Sequence, residues 1–141
     1  MEKLTIEFEP MLGNDLRTHV MEGLHAFNYA TTGQTGSYPT NFIVRGEAGD
    51  VLGGLLGYVW GQWLHVTYLW LADPARGAGC GSRLIGEAES YAMKRGAIGS
   101  TLETYSFQAR PFYESLGYAV CGQIDDYPPG HTKFILKKSL A

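Results

Sequence analysis

Residues 69–84, LWLADPARGAGCGSRL, constrain the fold of this chain more than any other stretch: an apolar run stops, glycines take over, and a helical pattern begins. That order reads as a strand, a loop with accessible backbone and a helix start within sixteen residues. Gly77, Gly79 and Gly81 carry no Cβ to block an approaching ligand, so N–H groups of the loop and of the first helical turn can converge on one anion. The positive end of the helix dipole adds to that attraction. The loop therefore suits the pyrophosphate of a cofactor.

The rest of the chain alternates short strand and helix patterns. Leu4, Ile6 and Phe8 alternate with polar residues, which predicts a half-buried strand stopped by Pro10. Asn14 is placed to cap a helix whose apolar positions Leu16, Val20, Leu24 and Phe27 recur at helical spacing. Residues 31–41 are rich in turn formers and read as a loop near a substrate or as a plain connector. Strands at residues 42–45, 51–60 and 63–71, separated by short turns, predict an antiparallel meander, with Gly53, Gly54 and Gly57 loosening the middle one. After the glycine loop come a helix marked by Leu84, Ile85, Ala88, Tyr91 and Ala92 and a strand at 101–105. A short helix at 108–116 and two strands at 118–124 and 132–136 complete the order. This predicts an α/β fold with a mixed central sheet of about six to seven strands and helices on both faces.

Bulk properties exclude several function classes. A chain of 141 residues has the length of one ordinary domain, so 1–141 is expected to be a single domain. Two cysteines, Cys80 and Cys121, are too few for a disulfide framework and fit a reducing cytoplasm. The stretch MEKLTIEFEP has no apolar segment after a basic one, and no apolar run approaches a bilayer span, so no membrane contact is expected. A net charge of −3 argues against neutralising nucleic-acid phosphates as the main task.

Two nucleotide-binding templates fail against residues 76–82, RGAGCGS. A P-loop needs a lysine after its last glycine, and none is there. The dinucleotide fingerprint needs a third glycine where Ser82 stands. What fits is R-x-x-G-x-G on a strand-to-helix turn, filled by Arg76, Gly79 and Gly81. Further on, residues 109–118 read ARPFYESLGY. With these two motifs in this order, the chain resembles the GNAT superfamily of acetyl-CoA-dependent N-acyltransferases, and the matching element order extends the resemblance over nearly the whole chain.

The resemblance implies a GNAT-like sheet, splayed at the strand before the glycine loop, and acetyl transfer from acetyl-CoA to a primary amine within a ternary complex. Arg76, Gly77, Ala78, Gly79, Cys80, Gly81 and Ser82 would bind the pyrophosphate, and Leu69 and Leu71 would carry the pantetheine arm. Leu71, five residues before Arg76, occupies the place whose backbone N–H polarises the thioester carbonyl. Tyr113 falls where such proteins often hold a tyrosine near the leaving sulfur, as general acid. Phe112, Ser106 and Gln108 would reach the same cosubstrate. The family has no single fixed base, and His65 and Glu103, each ionisable in an otherwise apolar strand, are the candidates; a backbone-satisfied histidine and a structural ion pair are their competing roles. No metal is expected. The acceptor is a small-molecule or peptide amine, with a small molecule favoured, and the aromatic content is compatible with a homodimer. A non-catalytic acyl-CoA-binding or sensor module is the alternative function.

Overall fold

The computed structural model describes residues 1–34 and 36–141, and strands and helices form largely where the apolar periods predict them. In chain order these are α1 (Asn14–Thr32), β1 (Tyr38–Pro39), β2 (Phe42–Arg45), β3 (Val51–Trp60), β4 (Trp63–Leu71) and a short 3-10 turn (Asp73–Ala75). They continue with α2 (Cys80–Lys94), β5 (Gly99–Tyr105), α3 (Arg110–Ser115), β6 (Ala119–Asp125) and β7 (Thr132–Ser139). The chain divides into two units, Met1–Thr35 and Gly36–Ala141.

In the first unit, α1 starts one residue after Gly13, which takes the N-cap position expected of Asn14, and ends at Gly33 in a left-handed conformation. Its apolar stripe of Leu16, Val20, Leu24 and Phe27 is exposed, and the helix has no buried residue. The strand predicted at residues 4–8 is not formed. Alternation sets which face of a strand would be apolar, but a strand exists only where a neighbour takes its backbone hydrogen bonds. Leu4, Ile6 and Phe8 are exposed and pair with no strand among the described residues. Of the loop read at residues 31–41, Thr35 lies outside the described residues.

The second unit is one seven-stranded mixed sheet in the order β1-β3-β4-β5-β7-β6, with β2 also pairing β3. The meander β2–β3–β4 is antiparallel as expected. The β4–β5 pair is parallel, because α2 lies in the connection between them. Leu55, Val59, Leu64, Val66, Leu102 and Leu136 form the sheet's share of one core, and Leu84, Ile85, Ala88 and Ala92 of α2 and Tyr113 of α3 close it. Both helices of this unit thus cover the same face. The opposite face carries Leu56, Tyr58, Tyr68 and Trp70.

Two sequence features acquire a structural reason here. The glycines of β3 are sites of close backbone approach rather than loosened strand: a Cβ on Gly57 would run into the carbonyl oxygen of His65, and one on Gly53 into that of Trp70. Backbone cannot swing aside as a side chain can. Gly57→Ala is therefore expected to destabilise the protein by about 1–3 kcal/mol in urea unfolding, and a change within about 0.5 kcal/mol would refute the packing assignment. The second tyrosine of FYESLGY is structural. Tyr118 donates to Glu89 Oε2 at 2.9 Å and lies 2.8 Å from Ser100 Oγ, while Lys138 Nζ reaches both Glu89 oxygens at 2.9 and 3.1 Å. Burial first, then the Glu89 charge, holds the Tyr118 hydroxyl far above the ordinary tyrosine range. This network pins α2, β5 and β7 together behind the groove described next.

Candidate active site

The parallel ladder between β4 and β5 runs from Trp63↔Gly99 to Val66↔Leu102 and then stops. At that level the β3–β4 register shifts, with Leu56 opposite Tyr68 and Gly57 opposite Val66, so Thr67 is the extra residue of a bulge. A bulge bends its strand and increases local twist. Beyond it β4 and β5 diverge, and the gap is a cavity of about 600 Å³ reached by His65, Thr67, Leu69, Arg76, Glu103, Gln108 and Tyr113. The splay expected before the glycine loop is thus present, and it begins at the bulge.

Divergence leaves backbone groups free to bind a ligand. The Ala72 N–H donates to Leu52 O at 2.8 Å, toward β3. Alternation along β4 turns the N–H groups of Leu71 and Leu69 the other way, to the side that β5 has left. Leu69 lines the cavity. Leu71 packs its side chain against the core, and its carbonyl oxygen accepts a 2.9 Å hydrogen bond from Arg76 Nε. Arg76 also pairs with Asp73 at 3.0 Å, so its guanidinium ties the loop to the end of β4 while bordering the cavity.

After Arg76 the loop turns through Gly77 and Gly79, both with positive φ, the conformation that favours glycine. Ala78 lies between them, and Gly79 is the N-cap of α2. The first intrahelical bond comes from Arg83 N to Gly79 O at 3.1 Å, so the N–H groups of Cys80, Gly81 and Ser82 have no acceptor within the helix. No side chain caps them and no acid stands in the first turn, which leaves the positive helix end uncompensated. A Cβ on Gly77 or Gly79 would meet nothing within 4 Å. Open space, unspent N–H donors and a cavity that Arg76 also lines fit a pyrophosphate followed by a pantetheine arm. Gly81 has a different reason: its Cβ would stand 3.0 Å from Phe112 Cζ, so this glycine lets α2 pack against α3. Cys80 also lines a second groove, with Phe42, Val44 and Arg83.

The candidate side chains separate on inspection. Tyr113 is buried to 7% exposure, packs its ring against Phe112 and Tyr118, and reaches the cavity; burial raises its hydroxyl above the ordinary tyrosine value. His65 lines the cavity with Nδ1 3.2 Å from Thr67 Oγ1 and its ring 5.1 Å from that of Tyr58. Glu103 lines it too, but its Oε2 lies 2.6 Å from Lys133 Nζ. Gln108 faces the cavity, and its Oε1 accepts from Thr104 Oγ1 at 3.3 Å and Tyr105 N at 3.2 Å, which shapes the turn before α3. Ser106 Oγ accepts the Thr132 N–H at 3.0 Å, which ties the turn after β5 to the start of β7. Thr67 and Lys133 escape a sequence reading, since a bulge and a cross-strand partner appear only once the strands are in register. Among the described residues, no group of three or more His, Cys, Asp or Glu is placed to hold a metal, and no helix is long and apolar enough to cross a membrane.

A mixed sheet split next to a glycine turn that opens a helix defines a class of acyl-transferring proteins, distinct from the P-loop and dinucleotide folds. Residues 9–118 match the acetyltransferase (GNAT) family, and the chain belongs to that family. It is 44% identical to blasticidin-S acetyltransferase of Streptomyces morookaense over 141 residues, covering 99% of this chain and 96% of that protein. An acetyltransferase of Agrobacterium fabrum is 30% identical over 119 residues, 84% of this chain and 87% of the relative. A crystal structure of an acetyltransferase from Agrobacterium tumefaciens superimposes with a TM-score of 0.88 at 26% identity, covering 96% of this chain and 99% of the other. The protein is an acetyltransferase that uses acetyl-CoA as cosubstrate and an amine as acceptor.

Proposed function

We propose that residues 1–141 form one acetyltransferase domain that acetylates a small-molecule amine of the blasticidin S type, by direct attack within a ternary complex. The observation that carries this is that the diverging part of β4, Tyr113 and His65 line one cavity. The near full-length similarity to a blasticidin-S acetyltransferase supports the acceptor class.

The residues take the following roles. The glycine turn and the N–H groups of Cys80, Gly81 and Ser82 hold the pyrophosphate, and the Leu71 N–H pairs with the pantetheine arm. The Leu69 N–H faces the cavity where the thioester carbonyl lies, so it meets the charge that grows on that oxygen as the amine attacks. Leu71 is one step further out. When the carbon–sulfur bond breaks, Tyr113 gives its proton to the departing sulfur. The amine must lose a proton as its new bond forms. His65 takes it at Nε2, the ring nitrogen left over when Nδ1 is engaged by Thr67. Glu103 is engaged by Lys133, whose Nζ lies 2.6 Å from its Oε2, so this carboxylate is tied up in an ion pair and His65 is the base. A cytoplasmic location and a homodimer belong to the same proposal, supported by the free thiols Cys80 and Cys121 and by the exposed aromatic side chains Tyr58, Tyr68 and Trp70.

Incubation of the protein with acetyl-CoA and blasticidin S is expected to release free CoA in equal amount to a mono-acetylated product seen by mass spectrometry. Absence of that product, with peptide lysines or amino termini acetylated instead, would overturn the acceptor assignment.

A further inference from the structure

Beside the cavity, at the end of β5, stands a group of rings that the reaction itself does not use. Tyr105 and Phe107 stack with centroids 5.4 Å apart and planes 15° from parallel, and Tyr127 lies 5.9 Å from Tyr105. His131 meets the edge of Phe107 at 4.9 Å. Core aromatics bury their faces, but here Phe107 is 55% and Tyr127 46% exposed. The group is nevertheless fixed. The Ser106 hydroxyl accepts the Thr132 N–H, Lys133 Nζ sits 4.7 Å over the Tyr127 ring, and Lys133 also grips Glu103. Strand register puts Glu103 and Tyr105 on one face of the sheet with Lys133, which pairs across from Tyr105. Tyr105 and Glu103 also line the cavity, so the rings continue directly from the place of acyl transfer.

We propose that Tyr105, Phe107 and Tyr127 form a stacking shelf that selects acceptors whose amine is joined by a short linker to a planar aromatic or heteroaromatic ring. This rests on the reading of the cavity as the acyl-transfer site and adds the class of group that the acceptor must carry. An aliphatic chain on this surface gains only apolar burial, whereas a flat ring also gains the preferred offset geometry against rings that are already ordered. The Glu103–Lys133 pair closes the inner end of the shelf as a neutral unit, so a ring is held by stacking rather than by charge. Phe107 and Tyr127 act on specificity and stand outside the proton transfers.

Calorimetric titration of the protein, saturated with CoA, with tryptamine and with hexylamine tests this. Tryptamine is expected to bind about tenfold more tightly than hexylamine, and Phe107→Leu and Tyr127→Leu are each expected to reduce that preference to about threefold or less. CoA affinity should not change in either variant. Equal affinities for the two amines in the wild type, no detectable tryptamine binding, or a preference that survives both substitutions would overturn the shelf. The CoA titration separates the two readings: a wild type that fails to bind CoA removes the acyl-transfer site itself, whereas intact CoA binding without ring preference removes only the shelf. Folding of each variant is read from its melting temperature, and either variant alone suffices for the comparison.

Discussion

Replacing Gly79 with glutamate is expected to lower CoA affinity by more than about a hundredfold, while Gly79→Ala lowers it only a few-fold. Gly79 has φ 79° and ψ 9°, so both variants pay the same left-handed backbone cost, on the order of 1–2 kcal/mol. Neither Cβ meets a protein atom within 4 Å, so neither clashes inside the fold. The difference between them therefore isolates what the longer, charged side chain does on the ligand side. A carboxylate there competes for the open N–H groups of Cys80, Gly81 and Ser82 and repels a pyrophosphate. Two unit charges 4 Å apart interact by about 4 kcal/mol at an effective dielectric of about 20, which exceeds the hundredfold expected. Calorimetry with CoA reads the affinity, and a melting curve confirms that the glutamate variant is folded. Equal affinities for the alanine and glutamate variants would show that the turn does not hold the anion.

Much of this architecture is written locally, and what is local was legible. The meander follows from turn formers between apolar runs, and the cradle from three glycines at a strand-to-helix turn. FYESLGY announces a short helix with a glycine stop, although α3 is only Arg110–Ser115, because residues 108 and 109 are spent on the turn that Gln108 braces. What the sequence hides are features that arise from two segments at once. The bulge at Thr67 exists only in the register of β4 against β3, and it is the bulge that accompanies the opening of the sheet. Glu103 reads as a lone carboxylate until β7 brings Lys133 to it. Ser106 reads as a lone loop hydroxyl until β7 brings the Thr132 N–H to it. Leu4, Ile6 and Phe8 err in the other direction: the alternation is real, but it carries no information about a partner strand.

The same distinction governs the paired motifs. Tyr113 and Tyr118 lie five residues apart and read alike as buried aromatics, yet their surroundings give them opposite tasks. Tyr118 spends its hydroxyl on Glu89 and Ser100 and is part of the scaffold. Tyr113 lines the cavity. Spacing alone cannot separate them; the polar partners on α2 and β5 do.

Tyr113→Phe is accordingly expected to lower kcat on the order of 10²-fold, with CoA affinity and melting temperature unchanged. Phenylalanine keeps the ring that packs 5.1 Å from Phe112 and 6.1 Å from Tyr118, so only the proton donor is lost. The pH profile gives an independent signature. Burial favours the neutral hydroxyl and raises its pKa, so Tyr113 stays protonated through neutral pH and deprotonates only above the ordinary tyrosine value of about 10. An acid works while it holds its proton. The wild-type rate should therefore keep the Tyr113 contribution up to that alkaline range and lose it above, and this limb should be missing in the phenylalanine variant. A variant as fast as wild type would assign the proton to water or another residue. A loss confined to KM would make Tyr113 a binding group, because an acid that acts on the departing sulfur stabilises the transition state and must show itself in kcat.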